Sequence, residues 1–140
     1  MSRADFIALV RGSLVALVVF LFGKVDTMLI TLCTFVVLDY IAGVISGYIL
    51  SELSSKVGSK GICKKVYLFI LLAIAVKVDM ILNANGAIRY TAICIMIGNE
   101  GVSIIENSAK CGIPGTEYLY NKLTQLRDMG KKEDNNKDKK

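Results

Sequence analysis

Four ionisable residues stand where hydrocarbon is expected. Asp39 interrupts LDYIAGVISGYILSEL at 38–53, Lys77 and Asp79 interrupt an apolar run ending in VDMIL at 78–82, and Glu100 stands within MIGNEGVSII at 96–105. A charge at the centre of a membrane helix costs about 2.5–3.5 kcal/mol, and each central Leu, Ile, Phe or Val returns only about 0.3–0.6 kcal/mol. A richly apolar helix still inserts, but afterwards the carboxylate favours any arrangement that supplies a cation, a proton or water. Three chemistries follow: an ion pair inside a helix bundle, proton carriage, or the polar lining of a hole.

Other chemistries lack their residues. The chain contains no histidine, no nucleophile elbow, no phosphate loop and no set of ligands at metal spacing, so neither an enzyme nor a metal or cofactor site is expected. Cys33, Cys63, Cys94 and Cys111 stand singly and read as small apolar fillers rather than disulfide partners.

The elements that must position these charges are membrane helices. Of 140 residues, 54% are hydrophobic, mean hydropathy is +0.53, there is one proline, and the apolar runs end before a tail, KKEDNNKDKK, with no apolar residue. A span takes about 20 mostly apolar residues at 1.5 Å each. Four segments come near that length: Ala4 to Gly23, Thr27 to Leu50, Val66 to Leu82, and Ile88 to Ile105. The expected fold is an all-α integral membrane protein, with a transmembrane body over 1–106, a cytoplasmic amphipathic segment over 107–129 and a disordered basic tail over 130–140. Arg11 opens an alternative for the first segment, an interfacial helix leaving three spans. Against it, Leu14 to Phe22 offers no polar face to water. That run lacks a cleavage site for a signal peptide and is expected to be retained.

Lys and Arg number 17 against 12 Asp and Glu, a net charge of +5. Because Lys56, Lys60, Lys64 and Lys65 crowd one connection and eight more basic residues follow Ile105, the balance reads as topology and not as a nucleic-acid surface. Both basic regions belong on the cytoplasmic side, and four spans then place both termini inside. With those helix ends, Asp39 lies about 18 Å below the outer face, Lys77 about 16 Å above the inner face and Glu100 about 18 Å below the outer face. Lys77 is thus the expected buried partner of Asp39 or Glu100, with Asp79 slightly farther out. Gly43 and Gly47 form a GxxxG strip beside Asp39, suited either to packing within one subunit or to contact between subunits. Beyond Gly112, Pro114 and Gly115, Leu119, Leu123 and Leu126 share a face of a short helix suited to the inner leaflet or a neighbouring subunit.

In order, LDYIAG at 38–43, SKVGSKG at 55–61 with Lys64 and Lys65 behind it, VDMIL at 78–82 and NEGVSIIENSAKCGIP at 99–114 make a combination that resembles the phage-lysis and toxin-secretion holins of Gram-positive bacteria. The likeness covers about three quarters of the chain. It implies a membrane protein that assembles into homo-oligomers in the bacterial cytoplasmic membrane and opens lesions through which an endolysin or a toxin passes as cargo. Members of that family are often described with three spans, and many have a second start that yields an inhibitor; the next methionine here is Met28. Two other readings stay open, an inhibitory antiholin and a small four-span proton-coupled cation or drug transporter with Asp39 as proton carrier.

Overall fold

The computed structural model describes residues 2–52 and 54–121. Four long helices follow one another: α1 (Arg3–Phe22), α2 (Thr27–Ile49), α3 (Ser55–Leu82) and α4 (Ala87–Lys110). Among the described residues there is no strand, and a further helical segment opens at Thr116 and is described to Asn121. Leu119 lies on it, whereas Leu123, Leu126 and the tail 130–140 fall outside the described residues.

Local chemistry explains each boundary. Ser2 and Asp5 form a capping box at the start of α1, the serine hydroxyl accepting from Asp5 N and the aspartate accepting from Ser2 N. Gly23 ends that helix at a φ of 75°, a region most side chains avoid. Asp26 then caps α2 by accepting from Leu29 N at 3.0 Å. Between α3 and α4 the run Asn83 to Gly86 turns through left-handed backbone at Asn83, Asn85 and Gly86, the residue types that tolerate it. Gly112, with a φ of 72°, and Pro114 follow the end of α4.

Helix α2 packs chiefly on α4, α4 also on α3, and α1 touches α3. The apolar core is small and lies toward the end with the two tight turns: Leu29, Leu32 and Val36 from α2, Leu72 and Val76 from α3, and Ile93 from α4. Phe22 and Phe69 meet edge to face at 5.7 Å beside it. No residue of α1 is buried, and an apolar cleft of about 480 Å³ lined by Val18, Ile30, Cys33, Thr34 and Val37 parts it from α2. Large apolar side chains are exposed along every helix. On a water-soluble protein so wide an apolar surface would be unstable; hydrocarbon is its natural surrounding.

Helices α1, α2 and α4 are long and apolar enough to cross a membrane. The third helix departs from the sequence expectation at its start. It begins at Ser55 and not at Val66, so the lysine-rich stretch expected as a connection is helical, and α3 runs 28 residues, about 42 Å. The cause is plain in retrospect: Ser55 to Lys65 has no proline, and its two glycines weaken a helix without breaking it. Between Lys65 and Leu82 this helix carries three charges, Lys65, Lys77 and Asp79, and each of them is taken up by another part of the fold.

Candidate functional site

Asp39 is the tenth residue back from the end of α2, Glu100 the tenth back from the end of α4, and Lys65 the tenth on from the start of α3. Each stands about 15 Å from the same end of the bundle, the end away from the tight turns. There they meet. The Lys65 Nζ donates to both Asp39 Oδ2 and Glu100 Oε2, bridging all three helices. Asp39 and Glu100 are 7% and 6% exposed, and the Lys65 side chain that pairs them is partly buried. Two carboxylates share one ammonium, and Asp39 Oδ1 is buried with no hydrogen-bond partner among the described residues. A lone buried carboxylate in apolar surroundings would be strongly disfavoured; the shared lysine is what makes the pair tolerable.

The expected partner, Lys77, is elsewhere. Twelve residues separate it from Lys65, about 18 Å along α3 and a third of a turn around it. With the true helix start, Lys77 falls five residues from Leu82, near the tight turns. Its Nζ donates to the carbonyl of Phe20 at 2.7 Å and lies 3.7 Å from the centre of the Phe20 ring. A cation at the carbonyl end of α1 suits that helix's dipole as well.

Asp79 is likewise occupied, as a cap. Its carboxylate accepts from Gly86 N and Ile88 N, both at 2.8 Å, and from Arg89 N at 3.4 Å. Gly86 itself has no side chain with which to cap α4, and Asp79 reaches across the turn to do so.

A second charged knot, not expected from the sequence, joins the two tight turns. Arg89, 7% exposed, donates from Nη1 to Asp26 Oδ2 at 2.8 Å, from Nη2 to Asp26 Oδ1 at 3.2 Å and to the Lys24 carbonyl at 2.7 Å, and from Nε to the Phe22 carbonyl at 2.9 Å. The Arg89 guanidinium bonded to it holds the Asp26 carboxyl well below the usual carboxylate range, at about 2. The signal was present: an aspartate heading one apolar run and an arginine heading another, both beside short turns.

Between the far half of α2 and the near half of α3 lies a groove of about 590 Å³. Gly43 and Gly47 line one wall, Gly58 and Gly61 the other, and Asp39 and Lys65 close its inner end. Lys60 is exposed on the same stretch of α3, as is Lys64. Among the described residues no group of three or more cysteine or acidic side chains could hold a metal ion. What the arrangement offers, among the described residues, is a partly buried set of three paired charges at one level of a helical membrane body.

Comparison with known proteins gives this body its relatives. The profile of the bacteriophage holin family matches residues 16–128. An uncharacterized protein of Listeria monocytogenes is 43% identical over 102 residues, 73% of each chain. An uncharacterized 14.9 kDa protein of Clostridium perfringens is 43% identical over 115 residues, covering 81% of this chain and 87% of the other. A probable holin of Bacillus phage phi105 is 34% identical over 107 residues, 74% of this chain and 76% of that one. No solved structure matches significantly. A helical membrane body carrying its charges on three helices, matched by that profile over most of its length, belongs to the bacteriophage holin family.

Proposed function

We propose that this chain is a holin: it spans the bacterial cytoplasmic membrane four times with both termini inside, self-associates there, and opens lesions that let an endolysin or a toxin out. The observation that carries the reading is the Asp39, Lys65 and Glu100 cluster, three ionisable side chains at one level of three helices. Within one chain they satisfy one another and the body is closed. In an assembly the same groups can line water, so separating them from one another opens a path. Helix α3 crosses with its charges because Lys65, Lys77 and Asp79 each have a partner inside the fold, which lowers the cost of carrying them. The lysines at the start of α3, and those of the tail, hold that end in the cytoplasm.

The test is expression in a bacterium with a cytoplasmic endolysin. Induction collapses the membrane potential and releases the endolysin to the wall, read by a voltage-sensitive dye and by culture turbidity. Asp39→Leu inserts at least as well, but its lysis is delayed or abolished, since the cluster is then a neutral pair of Lys65 and Glu100. Survival with intact potential and altered drug tolerance alone would instead establish a proton-coupled transporter.

A further inference from the structure

The cluster is one positive charge short, and the chain carries one stranded cation at the right depth. Two carboxylates against one ammonium leave a formal charge of −1; Asp39, 7% exposed, lines the groove, and its Oδ1 is buried with no hydrogen-bond partner among the described residues. Three of the glycines in the groove walls, Gly43, Gly58 and Gly61, have room for a side chain. A Cβ placed on Gly58 or Gly61 would meet nothing within 4 Å, and one on Gly43 would meet only the Asn107 amide at 3.7 Å, an ordinary contact. Small residues with open space before them fit the close approach of another helix.

Helix α1 matches that space. It buries no residue, and its one interior cation, Arg11, forms no ion pair among the described residues. Beside Arg11 stands Gly12, with nothing within 4 Å of its Cβ position. Arg11 is the eighth residue on from Arg3, about 12 Å from the helix start, and the cluster lies about 15 Å from that same end of the bundle. A guanidinium on its flexible stem spans the difference and is suited to a carboxylate that already has one occupied oxygen.

The chain's own α1 is held away from this place. Its last turn is pinned by Lys77 on the Phe20 carbonyl and by Arg89 on the Phe22 carbonyl. Its neighbours on α2, Ile30, Thr34 and Val37, face about a third of a turn away from Gly43 and Gly47. We infer that α1 of a second copy lies in the groove between α2 and α3, with its Arg11 paired to Asp39. This assignment rests on the reading of α1 as a membrane span given above. Each copy then donates one helix and receives one, so the contact closes as a reciprocal pair or propagates head to tail into rings or open arrays.

Cross-linking in membranes tests it. In a chain whose four cysteines are replaced by alanine, Gly12→Cys is placed on one tagged copy and Tyr40→Cys, at the matching depth on the groove wall, on another. Oxidation yields a mixed dimer, whereas Leu17→Cys with Tyr40→Cys, mismatched in depth, yields none. Arg11→Asp abolishes the mixed dimer, and Arg11→Asp together with Asp39→Arg restores it. Absence of the mixed dimer, its persistence in Arg11→Asp, or a link confined to single chains carrying both cysteines overturns the assignment. A mixed dimer in cells that do not lyse upholds the interface and sinks the holin reading; lysis without it does the reverse.

Discussion

Lys65 is the residue on which the buried charges depend. Removing one partner of a buried ion pair costs about 3–5 kcal/mol, because the other charge is left uncompensated. Lys65→Met strands two carboxylates on α2 and α4 at once, and we predict a loss of folded protein in detergent, seen as a melting temperature lowered by more than the loss of a single core methyl would cause. Asp39→Asn, Lys65→Met and Glu100→Gln combined recover most of that loss while still failing to lyse cells, which separates the cluster's structural role from its functional one. Asp26 gives a pH signature at the opposite end. Its carboxyl is depressed to about 2 by Arg89, below the ordinary value of 3.8, so the stabilisation is complete above about pH 4 and disappears as pH falls toward 2. Thermal melts between pH 6 and pH 2.5 show a fall confined to that acid window, and Asp26→Asn removes the fall.

At the scale of the element, α3 decides the site. Carrying its helix back to Ser55 is what brings Lys65 in from an expected cytoplasmic connection to the level of Asp39 and Glu100. The same extension moves Lys77 toward the tight turns, where α1 supplies its acceptor. Because a Cβ on Gly61 would meet nothing within 4 Å, Gly61→Ala fits inside one chain and exchanges a poor helix former for a good one, a gain of up to about 1 kcal/mol. Monomer melting temperature therefore holds or rises, while the larger species seen on size-exclusion chromatography and by cross-linking decline. A drop in monomer stability instead would mean that the glycine serves packing within the subunit.

For the whole molecule, the distribution of contacts matters more than any one of them. Helices α2, α3 and α4 form a body with a core and a charge cluster, and α1 stands outside it with no buried residue, tied to it at its last turn by Lys77 and Arg89. Translation from Met28 would produce α2 to α4 without α1 and without Asp26, the cap of α2 and partner of Arg89, a copy that keeps the groove residues but has no helix to fill a neighbour's. We predict that residues 28–140 expressed alone do not lyse cells, and that co-expression with the full chain lengthens the time to lysis in proportion to the ratio of the two. Equal lysis times at all ratios would show that α1 takes no part in assembly.

The membrane character of the chain, its helical class and its family were legible in the residues alone. Apolar run length is a one-dimensional property set by bilayer thickness, and short motifs such as NEGVSIIENSAKCGIP keep their meaning wherever the chain goes. Asp39 and Glu100 were identifiable as charges needing a partner for the same reason. Which cation answers them was not. Choosing Lys65 over Lys77 depends on where α3 starts and which way each side chain points, and a shift of eleven residues in a helix start moves every charge on it by about 16 Å relative to its neighbours. The pairing of Arg89 with Asp26, the use of Asp79 as a cap and the emptiness of the groove likewise arise only when separate helices meet, since each joins groups far apart along the chain.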